Sequence, residues 1–204
     1  MRKVGLIFVS LLFVSVAIAG CARPASPEEK APPLETVAPK PAVPPPPADS
    51  QAVFAITSPA FVAGAKIPVE YTCDGQNSSP PLAWGDGPAG IVSFALITDD
   101  PDAPSGAFTH WVIFNLPPDT RGLPEAVPAE NKLPSGALQG KNGFGKIGYA
   151  GPCPPPGSPH HYRFTLYALD KSLDLAAGVS KEQALRGMQG HVLAESQLIG
   201  VYQR

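Results

Sequence analysis

The sequence predicts a mainly β fold, an antiparallel β-sandwich, on three observations. Short apolar or alternating runs recur between residues 54 and 202, clusters of Pro, Gly, Asn and Asp separate them, and no regular series of helical periods intervenes. A parallel sheet would need a crossover, usually helical, between successive strands, and the intervals do not follow that pattern.

Taken in order, strands are expected at residues 54–56, 67–71, 91–98, 111–116, 162–169 and 197–202. The stretch 117–150 is rich in Gly, Pro and Asn and has no clear period, so it reads as one long loop of the kind that frames a pocket. A helix is expected after Ser180, which can cap it, with Gln183 in the capping-box position and Ala184, Leu185 and Met188 forming an apolar stripe. Leu185 and Met188 read as core. A second short helical turn is expected at 191–196.

The N-terminal part is of a different kind. Residues 1–20 carry Arg2 and Lys3, an apolar run and then small residues, the layout of a secretion signal; the run is too short for a membrane span. The string Ile18-Ala19-Gly20-Cys21 resembles the lipobox of bacterial lipoproteins, which implies acylation of Cys21 and cleavage before it. More than one acyl chain would tether the mature protein to a membrane without spanning it. Residues 21–52 hold the lipidated cysteine and a Pro/Ala-rich linker; some thirty residues at about 3.1 Å each would reach on the order of 90 Å. Residues 53–204 are the size of one domain with its own core. Without Arg2 and Lys3 the formal charge is −4, and no basic stripe points to nucleic acid.

Chemistry-bearing residues are spread along this domain beside prolines and glycines: Asp100 and Asp102 around Pro101 and Pro104, then His110, then Gly151, Cys153 and Pro155, then His160, His161 and Tyr162. The two aspartates can organise a turn through backbone amides or can present a carboxylate at a sheet edge. His160 and Tyr162 are two apart and share a face of a strand, while His161 points the other way. Such groups suit a small anionic or zwitterionic molecule. The candidate metal ligands come from separate segments without His-Glu-x-x-His or paired Cys-x-x-Cys spacing, and no cofactor motif is present. Cys153, with His160 downstream, is one candidate nucleophile; once Cys21 is lipidated, a disulfide between Cys73 and Cys153 in an oxidising compartment is the rival reading.

Several separated motifs together resemble the phosphatidylethanolamine-binding proteins, in their bacterial Raf-kinase-inhibitor-like branch. They are residues 67–75, the Ser79-Pro80-Pro81-Leu82 turn with Trp84, residues 100–104, His110-Trp111, residues 151–155 and residues 160–164. The resemblance implies an antiparallel β-sandwich with a few peripheral helices and a small pocket for phosphate, acetate, cacodylate or a phospholipid head group. By position, Asp100, His110, Gly151, Pro155, His160 and Tyr162 should line it, with Asp102 and Pro104 supporting the pocket loop. Three departures stand out. The segment from Pro104 to His110 is shorter than in eukaryotic members, Cys153 replaces a second pocket glycine, and His161 replaces an arginine.

The expectation is therefore a non-enzymatic, periplasm-facing binding protein, held by its N-terminal lipid in the cell envelope, at the outer rather than the inner membrane because Ala22 and not Asp follows Cys21. The alternatives are a kinase- or protease-inhibitor-like module with an envelope protein partner, and an enzyme using His110, His160 and Asp100.

Overall fold

The structure, a computed structural model, describes residues 54–104 and 106–204; the expected signal segment, Cys21 and the expected linker lie outside the described residues. Two antiparallel sheets form the domain. The smaller has the order β1-β2-β5, from Ile56–Thr57, Leu82–Trp84 and Gly122–Leu123. The larger joins β6 (Leu138–Gln139), β4 (Phe108–Leu116), β3 (Ser93–Asp100), β7 (His160–Leu169) and β8 (Val192–Tyr202), in that order.

Strand periodicity sends alternate side chains to opposite faces, and both faces of the larger sheet are covered. Phe94, Leu96, Trp111, Ile113, Phe164 and Leu166 pack inward with Ile56, Leu82, Trp84 and Leu123 of the smaller sheet. On the other face Ala95, Ile97, Val112 and Phe114 pack with Leu173, Ala184 and Met188. All eight residues of β3 are consequently buried, which explains a near-continuous apolar run in an antiparallel strand.

Ala184 and Met188 come from helix α1 (Lys181–Met188). Its start is the expected one: Ser180 Oγ accepts from the Gln183 amide and Gln183 Oε1 accepts from the Ser180 amide. The helical turn expected at 191–196 is instead the beginning of β8. Gly190, at φ +75°, turns the chain out of the helix, and extended pairing with β7 starts at Val192.

The strand expected at 67–71 is also different. Ile67 is wholly buried, but Pro68 lacks an amide hydrogen and the chain turns into a 3-10 helix at Val69–Tyr71, leaving Val69 exposed. Just before it, Lys66 bridges to Val201, and Gly64 and Ile67 donate to the carbonyls of Ile199 and Val201. The loop expected at 117–150 contains β5 and β6, each too short to show a period. Gln139 fastens it internally, accepting from the Trp111 indole at 2.8 Å and donating to the carbonyls of Pro128 and Glu130.

Candidate functional site

The site begins where β3 ends. That strand runs two residues past the expected boundary, so Asp99 and Asp100 belong to it and point to opposite faces. Asp99 is buried and accepts from Arg163 at 2.9 and 3.0 Å and from the Lys181 ammonium. Burial pushes its carboxyl up, but the bonds from Arg163 and Lys181 outweigh that and hold it below the ordinary range. This pair of cations on one acid ties β3 to β7 and to the start of α1, away from the candidate ligand residues.

Asp100 plays both roles open to it from the sequence. Its Oδ1 accepts from the Asp102 amide at 2.8 Å, which forms the turn, and its Oδ2 accepts from His160 Nδ1 at 2.8 Å. The carboxylate thereby fixes the His160 ring and leaves Nε2 as its remaining polar atom. Asp102 lies outside the cavity and holds the next residue, accepting from the His161 amide at 2.8 Å and from His161 Nδ1 at 2.7 Å. The His161 hydrogen bonds keep the Asp102 carboxyl below its usual range. Alternation along β7 thus separates His161 from the His160–Tyr162 face.

His110 is the third residue of β4, where the strand was expected to start only at Trp111. It is buried, and its Nδ1 lies 2.6 Å from the Ala150 carbonyl oxygen; a carbonyl only accepts, so Nδ1 carries the hydrogen. Burial pulls the His110 pKa down and outweighs the opposing influence of that carbonyl and of the Asp100 and Asp99 charges. The ring is neutral at neutral pH, and its Nε2 is an acceptor.

These groups meet in one cavity of about 210 Å³. Asp100, His110, His160 and Tyr162 supply its polar wall; Pro104, Phe108, Phe144, Pro154 and Pro155 are among its apolar residues, with Ala103 and Cys153 completing the rim. The Tyr162 hydroxyl is buried and makes no hydrogen bond of ordinary length and angle, but the Asp100 carboxylate is close enough to act on it as an acceptor. Burial, reinforced by the Asp100 charge, pushes its pKa well above the normal phenol value, so it remains a donor. Rings continue outward in edge-on contacts, Tyr162 to His110 at 5.1 Å, His110 to Phe108 at 5.0 Å and Phe108 to Phe144 at 4.9 Å.

Gly151 is not on the wall of that cavity, although its backbone lies beside the His110 ring. It lines a neighbouring cavity of about 410 Å³ and donates its amide to Asn77 Oδ1 at 2.7 Å. A Cβ there would lie 2.4 Å from the Tyr71 carbonyl oxygen, so backbone crowding by itself requires glycine. Cys73 and Cys153 are joined by a disulfide with Cα atoms 5.4 Å apart, which removes Cys153 as a nucleophile in this state. Among the described residues, no three His, Cys, Asp or Glu side chains are grouped to hold a metal ion.

Sequence reasoning missed Phe108, Phe144, Ala103 and Pro154. Phe108 was legible in principle, being two residues before His110 and on its face once the strand is extended. Phe144 offered only an isolated aromatic between Gly143 and Gly145.

A family model described as "Phosphatidylethanolamine-binding protein" matches residues 57–203. A "UPF0098 protein" of Methanothermobacter thermautotrophicus is 58% identical over 145 residues, 71% of this chain and 95% of that protein. "Putative lipoprotein LppC" of Mycobacterium tuberculosis is 35% identical over 200 residues, covering 94% of this chain and 92% of its own. Among solved structures, Escherichia coli YbcL, described as a new member of the mammalian PEBP family, is similar with a TM-score of 0.69 and 33% identity, over 74% of this chain and 98% of YbcL.

Proposed function

The chain belongs to the phosphatidylethanolamine-binding protein family, and from that premise we propose that it is a non-enzymatic binding protein of the cell envelope whose pocket takes a small oxyanion, a free phosphate or the phosphate of a lipid head group. The observation that carries this reading is the convergence of Asp100, His110, His160 and Tyr162 on one small cavity whose other walls are mostly apolar. A buried hydroxyl without a good hydrogen bond costs up to about 1–3 kcal/mol, and a ligand oxygen that reaches Tyr162 recovers part of that cost.

The imidazoles refine the ligand. Neutral His110 offers Nε2 as an acceptor, so an oxyanion that itself carries a proton satisfies both walls: one oxygen accepts from Tyr162 and its P–OH donates to the ring. Asp100, holding His160 by Nδ1, keeps the second ring in place and disfavours a densely charged dianion. Affinity for a phosphate monoester therefore falls as pH rises through its second ionisation, near 6. A sulfonate carries no proton near neutrality and separates this ligand effect from titration of the protein.

Anchoring is the second part of the proposal. The likeness to LppC extends over 94% of the chain, more than residues 53–204 contain, and the sequence at Cys21 resembles a lipobox. Both support acylation of Cys21 and a periplasm-facing domain; Ala22 favours the outer membrane.

Calorimetric titration with inorganic phosphate and phosphoethanolamine tests the pocket. Tyr162→Phe should weaken binding by roughly tenfold to a hundredfold, the range for a hydrogen bond to a charged group. His160→Ala should weaken it too, whereas His191→Ala should not, since His191 pairs with Asp170 on another part of the surface. Equal affinity across Asp100→Ala, His110→Ala, His160→Ala and wild type would reject the site. Mass spectrometry of protein from the native membrane tests the acyl chains, and an unmodified soluble form would reject the anchor.

A further inference from the structure

Phe144 and Cys153 belong to the walls of both cavities, so the smaller one and the 410 Å³ cavity beside it are neighbours across a shared rim. Phe144 is 61% exposed, an unusual position for a phenylalanine that is also closely held. Buried Asn142 builds the turn beneath it: Oδ1 accepts from the amides of Phe144 and Lys146 at 3.0 and 3.2 Å, and Nδ2 donates to the Gly148 carbonyl at 3.0 Å. The Gly143 amide donates to Thr109 of β4 at 2.7 Å. A Cβ on Gly143 would lie 2.4 Å from the Phe108 ring, so this glycine lets Phe108 lie against the turn and support Phe144 edge-on. The exposed ring is thus fixed before any ligand arrives, and covering it costs little ordering entropy.

The second cavity has walls suited to an apolar group. Ala129, Ile147 and Ala150 line it; the Tyr149 hydroxyl is already donated to the Tyr71 carbonyl, and Asn77 Oδ1 already accepts from Gly151. Lys146 is the cationic residue of this wall; it is exposed and in no ion pair among the described residues.

We infer that the second cavity is a subsite for the apolar substituent of a phosphate monoester, whose phosphate sits against Tyr162 while its organic group crosses Phe144 and Cys153. The inference rests on the oxyanion reading of the first cavity. It assigns the ligand to organic phosphates with a flat or apolar group adjoining the ester oxygen, and separates them from inorganic phosphate, which fills the first cavity alone.

The test titrates the protein with inorganic phosphate, methyl phosphate and 2-naphthyl phosphate, and reads the ratio of naphthyl to methyl affinity in each variant. In wild type the ratio should be roughly ten, the value of one aromatic contact. Phe144→Ala and Ala129→Phe, which remove the rim and fill the second cavity, should each bring it to about one. The Ile147 methyl resonances should shift with the naphthyl ester and not with methyl phosphate. If no phosphate binds, the oxyanion reading fails and this subsite with it. If methyl phosphate binds at the Tyr162 wall but the ratio is one in wild type, or is ten in all three proteins, the oxyanion reading stands and the subsite is rejected.

Discussion

Removing the Cys73–Cys153 disulfide should cost stability without abolishing the ligand pocket. The bridge joins residues 80 apart in sequence, and for a loop of that length the chain-entropy relation gives about 15 cal/mol/K, or about 4.5 kcal/mol at 25 °C. The folded state retains other ties between the same segments: the Cys73 amide donates to the Pro152 carbonyl at 3.0 Å, Tyr149 Oη to the Tyr71 carbonyl at 2.8 Å, and Gly151 to Asn77. Most of the loss should therefore come from the greater freedom of the unfolded chain. Both cysteines are exposed, so Cys73→Ser with Cys153→Ser buries no new hydroxyl. In urea, with a slope of about 2 kcal/mol/M, the midpoint should fall by about 2 M, and a reductant should lower the wild-type midpoint to the same place. Circular dichroism follows the unfolding, and phosphate titration below the transition follows the pocket. A loss under about 1 kcal/mol, or a folded double variant that no longer binds phosphate, would refute the reasoning.

Gly151→Ala should destabilise by about 1–3 kcal/mol, because the added methyl meets backbone atoms of Tyr71 and Thr72 that cannot simply rotate away; the thermal midpoint reports it. Asp99→Asn should cost about 1–3 kcal/mol, moderated by the partial exposure of Arg163, and should remove stability present above the unfolded aspartate pKa near 3.9 and lost on acidification. His110 acts at higher pH. Its folded pKa is depressed, so below about 6.5 the unfolded chain takes up a proton that the folded ring refuses, and stability falls with pH by up to about 1.4 kcal/mol per unit. Denaturant titrations of wild type and His110→Asn between pH 7.5 and 5 should differ by that slope; parallel curves would count against a neutral buried ring.

The large sheet was legible because its strands carry enough residues for a pattern to show, as in β3 and β7, where Phe94, Leu96, Phe164 and Leu166 fill one face. Two-residue strands such as β5 and β6 are defined by their partners and leave no period in the sequence. The turn at Val69–Tyr71 looked extended because Ile67, Val69 and Tyr71 alternate; Pro68 marked the break in the sequence, whereas the burial of only two of the three follows from tertiary packing. The start of β8, expected as a short helical turn at 191–196, is a strand because it pairs with β7, a partner that lies more than twenty residues away in sequence. In the site, the His160–Tyr162 face followed from residue parity alone. The place of Gly151 did not, since a glycine beside a ligand and a glycine beside a carbonyl look the same in sequence, and Phe144 reaches the cavity only through the fold of its turn.

Strand β8, eleven residues at the border of the larger sheet, bears on how copies of this protein coexist at high local concentration. An open border of that length is a template on which a second copy can add a strand, and from there a fibre can grow. Here the C-terminal half is already occupied: Ile67 donates to Val201, Val201 donates back to Ala65, and Gly64 donates to Ile199. Ser196 Oγ in turn accepts the Ile56 amide at 3.0 Å. What remains open is the N-terminal half, where Val192, Leu193, Glu195 and Gln197 are exposed, next to the positive-φ glycine that ends the helix. The segment around Gly64 to Ile67 is therefore a cap against self-association, and its loss would show first as aggregation.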